Sequence, residues 1–341
     1  MSSTILITGA GGFLGGLVRP FLPLIGEANA LQLSEALSAN PEIRLILADV
    51  VEPKPPKSST ATTVKVDLTA KEAVDGLFTT EFGIPDTIYC LHGIMSRGSE
   101  VNFDLGLKVN FDSIRLTLQA AREFGAQSAT RIKFIFASSL AVYGGVFPQT
   151  VTPETIATPE GAYGMGKLAS ELFVNEFSRR GFVDGRILRI PTIVVKKRPS
   201  GGNLLVHFRQ GIESLCPIGD SLDSPELDLP LWLASPQTTI KNFVIARDIP
   251  ADKFLPHTRV VYLPGFTATV RDELNALEKV GGRTALELVK FKDDPVSRRL
   301  VLSWPARFDI TYPLSLGFIV DEGGMEPVVR QFQKDIEAGV V

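Results

Sequence analysis

The sequence predicts an α/β fold: a doubly wound parallel sheet with a smaller C-terminal substrate-binding lobe. Three observations predict it. Short apolar runs recur at residues 4–7, 43–48, 63–66, 87–91 and 131–137, with helical patterns between them. Strands that alternate with helices build a parallel sheet buried on both faces. The first run also leads directly into Thr8-Gly9-Ala10-Gly11-Gly12-Phe13-Leu14-Gly15, followed by a helical pattern over residues 16–24. Finally, an acid, Asp49, closes the second run.

A strand, a glycine-rich turn and a helix in that order form a pyrophosphate cradle. Gly9 permits the tight turn, Gly12 lets backbone approach the phosphates, and Gly15 lets the helix pack on the strand. Phe13 and Leu14 continue the cradle. The helix N-terminus offers unpaired N–H groups and partial positive charge to an anion. The ligand implied is a dinucleotide, and the sheet is of the Rossmann kind. Asp49 stands where an acid hydrogen-bonds the ribose 2′-hydroxyl and repels a 2′-phosphate, which favours NAD over NADP. Its 34-residue separation from Gly15 exceeds the usual spacing of about twenty. A polar insertion over residues 19–41 absorbs the difference.

Composition narrows the function. The chain has 341 residues, 44% hydrophobic and 21% charged, with a net charge of −3. That balance suits a soluble globular protein and points away from nucleic acid and membrane surfaces. Two cysteines, Cys90 and Cys216, make no disulfide framework and suit a reducing compartment, so the expected location is cytoplasmic. No apolar stretch is long enough to span a bilayer. No residue spacing suggests a metal site.

Further along, the third run ends in Asp67-Leu68. Asp67 reads equally as a partner of the adenine amino group or as the cap of a helix near Thr69. After the fourth run comes Leu91-His92-Gly93-Ile94-Met95-Ser96, which the strand-end rule sets beside the dinucleotide. His92 reads as a backbone neighbour of the cofactor. Ser96 and Arg97 lie within reach of cofactor or substrate. Asn110 lies near the start of a helix at residues 109–124, where its poor helix propensity implies a hydrogen-bonding duty.

The fifth strand ends in Ser138-Ser139, and hydroxyls there face the cleft. Tyr163 and Lys167 then lie four apart on a helix running to residue 177, and so share one face. A phenol titrates near 10, too high for a base at neutral pH. A nearby ammonium favours the phenolate. Ser139 can hold the reacting oxygen. The catalytic set is therefore Ser139, Tyr163 and Lys167.

Together these stretches, with Val142-Tyr143-Gly144 and Leu188-Arg189-Ile190-Pro191-Thr192, resemble the extended short-chain dehydrogenases/reductases. The resemblance implies that Tyr163 moves the proton and Lys167 also binds the nicotinamide ribose. It implies too that Ser139 polarises the substrate, Asn110 is structural, and Pro191-Thr192 lies against the carboxamide. The Cys90-Leu91-His92-Gly93 loop departs from the family's His-Leu-Ala-Ala pattern. The blocks Asp104-Leu105-Gly106, residues 177–186 and residues 188–194 resemble a subfamily that oxidises the 2-hydroxyl of a four-carbon sugar acid with NAD. By its own chemistry residues 179–186 read as a helix end, a stop at Gly181 and a turn at Asp184-Gly185. Relatives often form homodimers through helices flanking the site.

The expected domains are residues 1–195 with a return segment near 236–264, and a substrate lobe from residues 196–235 and 265–341. Residues 204–214 read as a helix, residues 240–248 as the return to the main sheet, and residues 259–264 as a strand. Residues 270–280 read as a helix stopped by Gly281-Gly282, and residues 325–338 as a closing helix. A carboxylate substrate wants a cation, for which Arg97, Lys196 and Arg198 are candidates. Two other readings stay open: a nucleotide-sugar epimerase or dehydratase, and a non-catalytic NAD-sensing protein.

Overall fold

The computed structural model describes residues 3–11, 33–56, 60–129, 131–194, 214–216, 221–291 and 294–337. Its main sheet has seven strands: β1 (Ser3–Thr8), β2 (Ile43–Asp49), β3 (Thr60–Lys65), β4 (Thr87–Cys90), β5 (Lys133–Ser139), β6 (Asp184–Ile190) and β10 (Val260–Tyr262). Their spatial order is β10-β6-β5-β4-β1-β2-β3. Every pairing in this sheet is parallel. The order reverses direction between β1 and β4, which opens a crevice at their carboxyl ends.

The continuous apolar runs follow from burial on both faces. Ile5, Ile7, Leu45, Leu47, Tyr89, Ile135 and Ala137 enter one core. Their neighbours Leu6, Ile46, Ala48, Ile88, Cys90, Phe134 and Phe136 enter the other. Successive side chains point to opposite faces, so each strand supplies both cores. Edge strand β3 is threonine-rich and only half-buried, as an edge with one neighbour allows.

Helix α4 (Ser113–Gln127) follows a π-helical turn, Lys108–Asp112, and helix α5 (Ala162–Arg179) lies between β5 and β6. Two smaller sheets complete the fold. Strand β7 (Thr192–Ile193) runs parallel to β9 (Pro230–Ala234), which pairs antiparallel with β11 (Phe266–Thr269). Strand β8 (Ser214–Cys216) runs parallel to β12 (Val289–Phe291). Helix α7 (Val270–Leu286) and helix α10 (Met325–Glu337) share a third core through Leu274, Leu277, Val329 and Phe332. Thr269 and Asp272 form a reciprocal cap at the start of α7.

Several local expectations are refined or change. Residues 240–248 return to the main sheet as part of helix α6 (Pro236–Asp248), which packs on its face, and the chain rejoins the sheet itself at β10 beside β6. Ser235 caps this helix by accepting from the Thr238 amide at 3.1 Å, with Pro236 in its first turn. Buried Ile240, Phe243 and Ala246 then fall on one helical stripe against the sheet. Asp184-Gly185 is no turn. Asp184 opens β6 by bonding the Ile132 carbonyl, and Gly185 packs tightly against Val174 and Ser178 of α5. The stop expected at Gly281-Gly282 is present: Gly282 leaves helical geometry at φ +74°, and a second helical segment then runs on to Leu286. Ser214 begins a strand where the pattern gave a helix end; the rest of that predicted helix lies outside the described residues.

Candidate active site

The carboxyl ends of β1, β4 and β5 bring the first site residues together. Gly9 leaves β1 at φ +77°, in the left-handed region that favours glycine. A Cβ there would stand 2.7 Å from the His92 amide nitrogen, so the β1 and β4 turns touch backbone to backbone. Asp49 is buried at the end of β2, and its carboxylate accepts from the Gly11 amide at 3.2 Å and the Val51 amide at 3.3 Å. The acid thereby anchors the first glycine turn. Gly12, Phe13, Leu14 and Gly15 lie outside the described residues.

Asp67 is exposed and its carboxylate accepts from the Thr69 amide at 2.9 Å and hydroxyl at 2.7 Å. It closes a local turn ahead of helix α1 (Lys71–Gly76). Leu68 is buried beside it, in the same core as Val66 and Val74. Leu91 is half-buried at the end of β4.

His92 is a structural residue. Its Nδ1 is 2.8 Å from the Thr8 hydroxyl and its Nε2 is 2.8 Å from the Ser113 hydroxyl. Burial and the nearby Lys167 charge push its pKa down to about 3, so it is neutral across the working range. Asn110 sits in the π-helical turn and pins the following loop. Its amide oxygen accepts from the Ile94 amide at 2.8 Å, while its nitrogen donates to the Ile94 carbonyl and to Ser99 Oγ. Gly93 matters because a Cβ there would meet Asn110 Oδ1 at 2.8 Å and Lys167 Nζ at 3.2 Å.

Helix α5 carries Tyr163 and Lys167. Two glycines between them, Gly164 and Gly166, are poor helix formers, each costing roughly 1 kcal/mol against alanine. Close packing explains both. A Cβ on Gly164 would overlap the Ala141 carbonyl oxygen, and one on Gly166 would press the Asn110 side chain. The helix can therefore lie directly on the turn that follows Ser139.

Ser139 ends β5 and its hydroxyl accepts from the Ala141 amide at 3.1 Å. Burial pushes Tyr163 up to about 12, with the neighbouring Ser139 hydroxyl opposing it. Two units above an ordinary phenol correspond to about 3 kcal/mol against ionisation. Desolvation thus works against the phenolate that a nearby ammonium favours. Lys167 Nζ lies 5.7 Å from the Tyr163 ring centre and donates to the Ala137 carbonyl at 2.9 Å. A longer bond, 3.4 Å, runs to the His92 carbonyl. Burial pulls its own pKa down to about 8.

The remaining candidates divide. Ser96 is buried at the start of helix α2 (Ser96–Val101). Pro191 is buried and Thr192 half-buried where β6 passes into β7. Arg97 is paired with Asp294 at 2.5 Å, so its guanidinium is already engaged by an anion. Lys196 and Arg198 lie outside the described residues. No group of three or more metal-ligating side chains occurs among the described residues. No helix among them is long and apolar enough to cross a membrane.

Residues 5–212 match the NAD dependent epimerase/dehydratase family. The chain belongs to that family. D-erythronate dehydrogenase of Haemophilus influenzae is 35% identical over 345 aligned positions, covering 96% of this chain and 98% of that protein. D-erythronate dehydrogenase of Cupriavidus necator is 32% identical, covering 97% and 98%. The crystal structure of a nucleoside-diphosphate-sugar epimerase from Agrobacterium tumefaciens superposes with a TM-score of 0.81 at 26% identity, over 99% of this chain and 95% of that one. The Rossmann-type sheet, the cofactor NAD and the oxidoreductase class expected from the sequence therefore stand. The glycine contacts at Gly9 and Gly93, and the acid at Asp49, suit a dinucleotide: each keeps a Cβ or a backbone group out of the crevice or fixes the turn that lines it.

Glu171 escaped the sequence reading, which named Ser138, Tyr143 and Arg189 only within longer stretches. These four form one buried cluster beneath the site, and the Ser138 hydroxyl turns to Glu171 rather than to the cleft. Two signals pointed to it. Glu171 falls four residues after Lys167 on the same helical face, and Arg189 interrupts an apolar strand. A charge inside a buried strand demands a partner.

Proposed function

We propose that this protein oxidises the 2-hydroxyl of D-erythronate to the 2-oxo acid with NAD. The observation that carries the reading is the packing of the Tyr163 helix on the turn after Ser139, which buries Ser139, Tyr163 and the Lys167 ammonium together at the sheet's carboxyl end. The near full-length similarity to two D-erythronate dehydrogenases supplies the substrate.

In this mechanism Ser139 Oγ holds the 2-hydroxyl oxygen, and Tyr163 takes its proton. Lys167 holds the nicotinamide ribose and favours the phenolate as it forms. Bound NAD supplies the hydride acceptor for the C2 hydrogen. The C2–O bond becomes a carbonyl as the proton and hydride depart. In the reverse direction Tyr163 acts as donor, and a phenol held near 12 is protonated for that step at neutral pH. Gly9, Gly12, Phe13, Leu14, Gly15, Leu68, Leu91, Gly93, Pro191 and Thr192 line the cofactor. Asp49 takes the adenosine ribose, Asp67 faces the adenine, and Asn110 acts through the Ile94 loop. Ser96 and Arg198 contact the sugar acid. Residues 1–195 with 236–264 form the cofactor domain, and residues 196–235 with 265–341 the substrate lobe. The protein works in the cytoplasm.

The test is NADH formation with a panel of four- to six-carbon aldonic acids, beside UDP- and GDP-sugars. Turnover on D-erythronate is expected, with NADP at least about tenfold poorer because Asp49 repels a 2′-phosphate. Silence on the acids with activity on a nucleotide sugar would instead support an epimerase, the reading that the Agrobacterium structure's name favours. Binding of NAD with no turnover on either class would support a sensor.

The same reading includes a homodimer. Leu172 and Phe173 are exposed on the outer face of α5, and Val101 and Phe103 are exposed on the short helices packed beside it. Large apolar side chains of this kind on adjacent helices suit a second copy of the chain. Sedimentation should give a dimer, and Leu172→Asp a monomer; a monomeric wild type would end this part of the proposal.

A further inference from the structure

We propose that Glu171 and Arg189 are positioning residues, a buried ion pair that sets the height of the Tyr163–Lys167 helix against the strand end bearing Ser139. The inference rests on the Ser139–Tyr163–Lys167 reading above. Arg189 Nε donates to Glu171 Oε1 at 2.9 Å, and its NH2 donates to Oε2 at 2.6 Å. Its NH1 donates to the Tyr143 hydroxyl at 2.6 Å. The Ser138 hydroxyl donates to Glu171 Oε1 at 2.5 Å. All four side chains are buried.

The cluster reaches both elements that carry Ser139, Tyr163 and Lys167. Glu171 lies one helical turn beyond Lys167 on α5. Ser138 directly precedes Ser139 on β5, and Arg189 is its register partner on β6. Tyr143 ends the turn on which Gly164 rests. A bidentate arginine–carboxylate pair fixes both distance and plane, which a single hydrogen bond does not. Stability alone does not call for it, because well-packed apolar residues often replace a buried ion pair without loss. Geometry does call for it: a displacement of about 1 Å between catalytic groups can cost about 100-fold in rate.

Glu171 also sets the local charge. Lys167 is faced by Cys90 and His92 from the β4 end, by the Phe136 ring and Ala137 carbonyl from β5, and by Tyr163 and Glu171 on its own helix. Cys90 is pushed up to about 12, His92 down to about 3 and Tyr163 up to about 12, all by burial. These three are therefore neutral near pH 7. Among the residues named here, Glu171 carries the charge that Lys167 feels.

The experiment compares wild type, Glu171→Gln and Arg189→Gln in thermal melts, in steady-state kinetics on D-erythronate, and in NADH affinity against pH by fluorescence. Both variants should fold and lose about 10- to 100-fold in kcat, with KM changed by no more than about threefold. NADH affinity should weaken as pH rises through the Lys167 transition. Without Glu171 the Arg189 cation is unopposed, so Glu171→Gln should inflect about one pH unit below wild type. Arg189→Gln removes a cation and should not inflect lower. Folded variants with wild-type kcat and unmoved inflections would reduce the pair to a fold stabiliser and overturn the inference. If wild type itself ignores D-erythronate, the substrate reading falls and the NADH inflections alone decide this one. If the charge variants fail to fold, Ser138→Ala and Tyr143→Phe each delete one bond. Each should lower kcat several-fold at unchanged KM; wild-type kcat in both would overturn the inference.

Discussion

Tyr163→Phe should lower kcat/KM for D-erythronate, the proposed substrate, by about 10²- to 10⁴-fold, the range that general acid–base groups contribute. The substitution deletes one oxygen from a buried ring and leaves its shape. The Ser139 hydroxyl keeps the Ala141 amide as a partner, so the strand end has no reason to move. Stability should change by no more than about 1 kcal/mol, the net worth of one hydrogen bond. NADH affinity should persist as well, since Lys167 retains its bonds to Ala137 and His92. Steady-state kinetics, a thermal melt and a fluorescence titration on one preparation check all three. A variant that turns over at the wild-type rate would remove Tyr163 from the chemistry, whatever the substrate.

Gly164→Ala should inactivate the protein without touching a reacting group. One methyl group is added in a helix interior, where alanine is intrinsically better than glycine by about 1 kcal/mol. That local gain is outweighed. The new Cβ would overlap the backbone carbonyl of Ala141, and backbone cannot swing aside as a long side chain can. Overpacking of this kind typically costs about 1–3 kcal/mol, occasionally more. The strain is relieved by lifting α5 off the turn after Ser139, and the lift carries Tyr163 and Lys167 away from the strand end. Chemical denaturation should show a loss of about 2 kcal/mol with an unchanged slope. The activity should fall by at least about 100-fold. An active, stabilised variant would show that the helix does not need this contact.

Both predictions depend on one packing arrangement. Its parts have different origins, and they were not equally legible beforehand. The strands of the main sheet were readable because each is buried on two faces, so an unbroken apolar run has few other fates. Edge strand β3 was placed three residues late, since threonines that are only half-buried leave little pattern. For residues 240–248 the return to the sheet was legible but its form was not: Ile240, Phe243 and Ala246 suit a buried strand and a one-sided helix alike, and the Ser235 cap with Pro236 marks a helix start. Asp184-Gly185 looked like a turn by residue type, but Gly185 is small because α5 presses on it.

The sequence by itself determined the parallel sheet and the family, and it singled out Ser139, Tyr163 and Lys167 as the proposed catalytic set. These depend on local pattern: period, glycine spacing and four-residue separation on a helix. Only the tertiary structure decided how those groups are held. It joined Glu171 to Arg189 and Ser138 across separations of 18 and 33 residues. It occupied Arg97 with Asp294, 197 residues away, and made His92 a buried neutral bridge between Thr8 and Ser113. It also set burial, and burial sets the pKa values. A sequence names the ionisable groups, but the cost of charging them depends on what the fold packs around each one.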